Sequence, residues 1–289
     1  MSETPFFFDH DGTPLFGVLY EPNSDPNDSA AEPRDRAIAF CPAFAEEAAI
    51  AQRVCVEFAR SLAGRGYHVL RFDYRGTGDS GGDFENATLE SRMSDIRAAV
   101  ELLRTRYAMP VGLFGLRLGA TLAALVAAAD PEIESLLLWE PVTHLKNHLK
   151  NFLRMQVVTQ NALAGKVAET QKSLLDRLDN GQTVDILGYP LTPACSREFT
   201  GRDVLAEIGG SHGPTLIAAI GRQQRQRRDL RRMVEAYESR GSRVDFIHAQ
   251  EQSFWIDPAD PWREMGFWHG HEELFRLSAD WLDRIGTDK

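Results

Sequence analysis

Cysteine is scarce. Cys41, Cys55 and Cys195 are an odd set with no metal-type or redox spacing, which excludes a disulfide framework and predicts reduced thiols. Positive charge is also in deficit: 32 Lys and Arg stand against 42 Asp and Glu, a formal net charge of −10. That balance argues against a nucleic-acid partner, because gripping a phosphate backbone needs a surplus of cations on one face. The basic run Arg222 to Arg232 is interleaved with Gln and Leu and reads as a solvated helix face. Long apolar runs are missing too; Leu122 to Ala129 is far too short to span a bilayer, and no stable membrane insertion is expected. The start Met-Ser-Glu-Thr-Pro has no basic leader region, so a cytoplasmic location is expected. Internal repeats and low-complexity tracts are absent.

What is present is the composition of a soluble globular chain: 289 residues, 43% apolar and 26% charged. Phe6 to Tyr20 holds two apolar segments around Asp11-Gly12, a β-hairpin signal that predicts an antiparallel edge. Glu21 to Arg34 is rich in Pro, Asn, Asp and Ser and reads as a loop. A strand (Ala37 to Phe40), a helix (Ala49 to Arg65), a strand (Tyr67 to Phe72), a helix (Leu89 to Tyr107) and a strand (Val111 to Phe114) then alternate. This rhythm builds a parallel sheet with right-handed crossovers. An all-round apolar helix, Leu118 to Ala129, and a strand, Ser135 to Trp139, continue it.

After Pro141 the rhythm breaks. Amphipathic patterns cover Leu145 to Val158 and Val167 to Leu178, followed by a turn-rich stretch around Gly188 to Pro193. The α/β pattern resumes with Thr215 to Ile220, a basic helix from Arg227 to Ser239, Arg243 to His248 and a closing helix, His271 to Ile285. The predicted organisation is an α/β core in two parts, residues 1–142 and 209–289, interrupted by a helical cap insertion at residues 143–208.

The chemically informative segment is Val111-Gly-Leu-Phe-Gly-Leu-Arg-Leu-Gly-Ala120. Gly115 and Gly119 frame it as Gly-x-nucleophile-x-Gly, in which a strand turns sharply into a helix and pushes the middle side chain into an open site. That middle residue is Arg117. A guanidinium stays protonated and has five donors but no lone pair for attack, so Arg117 can hold an anion where a serine or cysteine would react. A cation in a partly buried cleft calls for a nearby carboxylate or bound anion. The expectation is a bidentate pair between Arg117 and Glu46 or Glu47, set against the alternative that both glutamates cap the following helix.

These residues resemble the α/β-hydrolase superfamily of the serine aminopeptidase-like type. The likeness runs over most of residues 5 to 285, through Phe40-Cys-Pro-Ala-Phe-Ala-Glu-Glu47, Phe72-Asp-Tyr-Arg-Gly-Thr-Gly-Asp-Ser-Gly81 and Gly115-Leu-Arg-Leu-Gly119. Shorter phrases, Asn151-Phe-Leu-Arg154 and Gly188-Tyr-Pro-Leu-Thr-Pro193 among them, resemble the exosortase A system-associated hydrolase 2 group found with bacterial exopolysaccharide genes. The resemblance implies an α/β-hydrolase fold: a mostly parallel central sheet with an antiparallel N-terminal hairpin and a site at the strands' carboxyl ends. It implies ester or acyl hydrolysis, no cofactor, and oxyanion-hole amides at Phe44 or Ala45 and at Leu118. The rest of the triad departs from the pattern, with Gln224 at the acid position and Gln252 or Ser253 at the histidine position.

Other candidates have plainer readings. Asp79 with Ser80 caps the turn after Asp73 and Arg75 or binds its loop amides, and Cys41 is an ordinary buried thiol. His248 reads as a hydrogen-bonded core residue, and His269 and His271 flank Gly270 at the start of the last helix with no metal signature. Phe254, Trp255, Trp262, Phe267 and Trp268 read as core and cap packing, compatible with a cleft for flat, hydroxyl-rich ligands. Three function classes follow. The chain binds a small anionic or acylated ligand, such as a saccharide intermediate, without cleaving it; or it hydrolyses esters or thioesters with an unconventional nucleophile or activated water; or it is a protein-interaction scaffold, with exopolysaccharide-pathway proteins as possible partners.

Overall fold

A computed structural model of the chain describes residues 1–22, 32–164, 169–210, 213–223, 227–255 and 271–287. The fold begins where Asp11-Gly12 turns the chain with φ of 53° and 75°, the left-handed pair a two-residue hairpin needs. Strands β1 (Ser2–His10) and β2 (Thr13–Glu21) run antiparallel from it, His10 opposite Thr13. The alternating elements that follow are β3 (Ala37–Cys41), α1 (Glu46–Gly64), β4 (His68–Phe72), α2 (Leu89–Tyr107), β5 (Val111–Leu116), α3 (Leu118–Ala129) and β6 (Ile133–Trp139). Next come α4 (Leu145–Ala164), α5 (Gln171–Asp179), β7 (Val184–Ile186), β8 (Tyr189–Leu191), α6 (Pro193–Gly201) and α7 (Val204–Glu207). The chain closes with β9 (Thr215–Ile220), α8 (Arg228–Ser239), β10 (Val244–Ala249) and α9 (Glu272–Thr287).

Among the described residues, eight strands form one sheet in the order β1-β2-β4-β3-β5-β6-β9-β10. Only the β1–β2 and β2–β4 pairings are antiparallel. Every residue of β3, β5 and β9 is buried, as expected of central strands covered on both faces. On one face α2, α3 and α8 bury Met93, Ile96, Leu122 and Met233; on the other, α1 and α9 bury Phe58, Leu62 and Trp281 around Trp139. The indole N–H of Trp139 donates to the Ser278 hydroxyl at 2.9 Å, so this polar edge is satisfied.

The mostly parallel sheet with a hairpin edge agrees with the sequence-based expectation, and α2, α3 and β9 have the predicted bounds. The turn-rich stretch differs. Leu187 and Gly188, both at positive φ, close a small β7–β8 hairpin. Pro193 starts α6 instead of breaking the chain: Thr192 accepts from the Cys195 amide, and proline occupies a first-turn position where its missing N–H costs nothing.

Candidate functional site

Arg117 stands at the corner between β5 and α3 with φ 55° and ψ −120°, a conformation that non-glycine residues adopt only when their surroundings enforce it. Its amide donates to the Trp139 carbonyl at 2.9 Å, tying the corner to β6. A side chain at Gly115 would collide with the backbone of Gly119 and Ala120, and one at Gly119 with the carbonyl oxygens of Cys41 and Pro42. The two glycines therefore permit a close crossing of strand, helix and the loop after β3. That loop makes a matching corner at Ala45, φ 51° and ψ −125°, before α1. Both corners lead into helix N-termini, which carry partial positive charge, although in α1 the Glu47 and Ala48 amides turn back onto the Phe44 and Ala45 carbonyls at 3.1 and 3.0 Å. Phe44 and Leu118, the other predicted amide positions, flank these corners.

The Arg117 guanidinium is held on three sides. Nε donates to Glu47 Oε1 at 3.1 Å, Nη1 donates to the Glu140 carbonyl at 3.3 Å, and the Trp255 ring lies 5.4 Å from Cζ. The expected partner is present, but the pair is not bidentate. Glu140 takes one nitrogen, while the second Glu47 oxygen faces His148 Nε2 at 3.9 Å. Glu46 takes no part; its charge, after burial, raises the Tyr189 hydroxyl above its ordinary value.

His148, on α4, was not singled out by sequence. It is buried, its ring 6.2 Å from Phe199 and 6.4 Å from Phe44. Burial pushes its pKa below the ordinary 6.5; Glu47 pulls it up and Arg117 pushes it down. The unfolded chain thus binds this proton more readily than the fold, so the stability linked to His148 is complete above about pH 6.5 and is lost progressively below it. His148→Phe should narrow the drop in melting temperature between about pH 7.5 and pH 5.5 relative to the wild type, read by differential scanning calorimetry. An equal or larger drop would contradict the assignment.

Glu140, directly after β6, is 1% exposed and has φ 47°. Its Oε1 accepts from the Ile220 amide at 2.7 Å, and its two oxygens accept from Arg227 Nη1 at 2.8 and 2.6 Å. Arg227 also pairs with Asp229 through Nε and Nη2 at 3.1 and 3.0 Å. The basic run is therefore not merely a solvated face: Arg227 precedes α8 and turns inward to a buried carboxylate. A signal was available, since an acid directly after the apolar run Leu136 to Trp139 needs a cation or amides to be buried.

The remaining candidates scatter. Ser80 ties β2 to the residue after β4 by accepting from the Phe16 amide and donating to the Asp73 carbonyl, at 2.8 and 2.6 Å. The carboxylate that takes a loop amide is Asp73, from Asp79, and Arg75 pairs with buried Asp95. Cys41 is buried, and burial pushes its thiol far up, the opposite of an activated nucleophile. His248 is half-buried on edge strand β10, not a core residue. An edge position covers only part of the ring. His271 precedes α9 and bonds Glu251 through Nδ1 at 3.0 Å, while Glu251 also accepts from the Leu274 amide. Gln252 accepts from Arg222 at 2.8 Å, and Ser253 is half-buried. Phe254 and Trp255 pack as expected; Gln224, Trp262, Phe267, Trp268, His269 and Gly270 lie outside the described residues. Among the described residues no group of three or more His, Cys, Asp or Glu could hold a metal, and no helix is long and apolar enough to cross a membrane.

Comparison with known proteins bears on this arrangement. No curated protein sequence matches the chain. Among solved structures, Est1E of Butyrivibrio proteoclasticus with bound ferulic acid superposes with a TM-score of 0.64 at 17% identity, covering 97% of this chain and 98% of that one. A Pyrococcus furiosus esterase gives 0.62 at 18% identity, with 98% and 91% covered. A lidless α/β serine hydrolase of Xanthomonas campestris gives 0.51 at 16% identity, with 85% and 84% covered. At such identities these likenesses establish the α/β-hydrolase fold. The sequence itself matches the family described as "Serine aminopeptidase, S33" over residues 32–186, more than half of the chain. The glycine-framed corner lies inside that span, and the chain belongs to the serine aminopeptidase S33 family of α/β-hydrolase-fold proteins.

Proposed function

We propose that the chain binds an anionic or acylated small molecule at the Arg117 corner without cleaving it through a serine-type nucleophile. The carrying observation is the posture of Arg117. Glu47, Glu140 and Trp255 fix the guanidinium, while Nη2 has no acceptor among the described residues. A carbonyl, carboxylate or phosphate oxygen held there would draw further on the amides of Phe44 or Ala45 and of Leu118, the donor positions that the family resemblance implies. Gln252 or Ser253 at the histidine position and Gln224 at the acid position support the same reading, because arginine without base or orienter offers binding and no relay. In this reading residues 143–208 act as a cap whose His148, Phe152 and Phe199 border the Phe44 loop. The phrases shared with the exosortase-associated hydrolase 2 group favour a cytoplasmic role beside exopolysaccharide synthesis, with a saccharide-linked acyl compound as ligand.

A second reading has one specific support. Glu47 Oε2 is buried with no hydrogen-bond partner and faces His148 at 3.9 Å, a carboxylate and a neutral imidazole placed to polarise a water for ester or thioester hydrolysis. Titration with acyl phosphonates, followed by tryptophan fluorescence, and a panel of short and long p-nitrophenyl esters separate the two. The binding reading expects no turnover above background and affinity roughly 10- to 100-fold weaker in Arg117→Ala, as for loss of a charged hydrogen bond. Turnover abolished by Glu47→Gln would decide for activated water.

A further inference from the structure

Arg92, on the first turns of α2, is 2% exposed, and its Nε and Nη2 are buried with no hydrogen-bond partner. Neighbouring acids are committed elsewhere. Asp95 takes Arg75 through Nε and Nη2 at 2.9 and 2.6 Å, and Glu198 Oε2 accepts from the Leu89 and Glu90 amides at 2.6 and 3.1 Å. Three rings instead surround the guanidinium: Phe84, Phe44 and Tyr74, at 5.0, 5.2 and 5.5 Å from Cζ. The Tyr74 hydroxyl is likewise buried without a partner.

Ring faces stabilise a cation but satisfy none of its N–H groups. The two unmatched nitrogens of Arg92 are also the pair that form one edge of a guanidinium, the parallel fork that fits the oxygens of a carboxylate. Arg75 uses the same edge on Asp95, with both nitrogens donating to Oδ1 and its backbone amide to Oδ2. Burial pushes the Arg92 pKa below its ordinary value, a cost that an anion on this edge would relieve.

We propose that the Nε/Nη2 edge of Arg92 and the hydroxyl of Tyr74 form a binding site for a small monocarboxylate behind the Phe44 loop. The site is separate from the Arg117 corner and does not rest on the ligand-binding reading of that corner. Phe44 touches both regions, packing against Arg92 and lying 6.4 Å from His148.

The test uses the full chain with formate or acetate as probe and chloride at equal ionic strength as control. The site predicts a melting temperature about 5 °C higher at a carboxylate concentration a hundred times Kd, and a saturable calorimetric titration. Placed in an Arg117→Ala background, so that the corner adds nothing, Arg92→Lys keeps the charge but loses the fork and should lose the shift. Tyr74→Phe keeps the ring and should weaken binding about tenfold, whereas Arg117→Ala alone should retain a saturable response. Equal melting temperatures in acetate and chloride, an undiminished response when Arg92→Lys is added to Arg117→Ala, or complete loss of the response in Arg117→Ala would each overturn the proposal.

Discussion

Gly119→Ala is expected to destabilise the chain by about 3 kcal/mol, among the largest effects for adding one methyl group. The new Cβ would run into the carbonyl oxygens of Cys41 and Pro42. Both obstacles are backbone, so relief requires the loop after β3 to move away from the first turn of α3. That movement also carries Phe44 and Ala45 out of register with Leu118, so ligand binding should fall together with stability. Gly64→Ala supplies the contrast. Gly64 ends α1 with open space around its Cα, and there alanine should stabilise by about 0.5–1 kcal/mol through helix propensity. Chemical denaturation of both variants reads the opposite signs directly; a neutral Gly119→Ala would mean that the corner is looser than this packing requires.

Glu140→Ala should cost about 3 kcal/mol, equivalent to a melting temperature lower by roughly 6 °C or more. The change removes the acceptor of the Ile220 amide and leaves Arg227 with half of its ion pair. A buried pair losing one partner can cost up to about 5 kcal/mol, but Arg227 is one-third exposed and keeps Asp229, so the lower end applies. Replacing both members, as in Glu140→Leu with Arg227→Met, should recover part of the loss, because the buried ion pair is removed whole; the Ile220 amide still lacks its acceptor, and Asp229, about one-third exposed, gives up its cation to solvent. Thermal unfolding of the single and double variants decides this. A double variant whose loss equals the sum of its parts would show that the pair is not coupled.

Much of this arrangement is legible in the sequence, and the exceptions have physical causes. Periodicity located α2 and α3, and the spacing of Gly115 and Gly119 located the corner, because both patterns record local geometry. The Arg117–Glu47 contact followed from the cost of burying an unpaired cation, yet charge alone left its valence open: Glu140 and His148 compete for the remaining atoms. His148 and Arg227 carry no local motif like the glycine frame that marks Arg117, and their partners Glu47 and Glu140 lie on distant segments that no local pattern brings together. Pro193 misled because proline punctuates turns and also opens helices; only the preceding Thr192 cap distinguishes the two uses.

The central claim is that a permanent cation occupies the corner where the family's chemistry would place a nucleophile. Intact-mass spectrometry of the wild-type chain after incubation with an excess of a fluorophosphonate tests it most directly. The account predicts an unmodified mass at every time point, and a stoichiometric phosphonyl adduct mapping to a serine or cysteine of the site would contradict it.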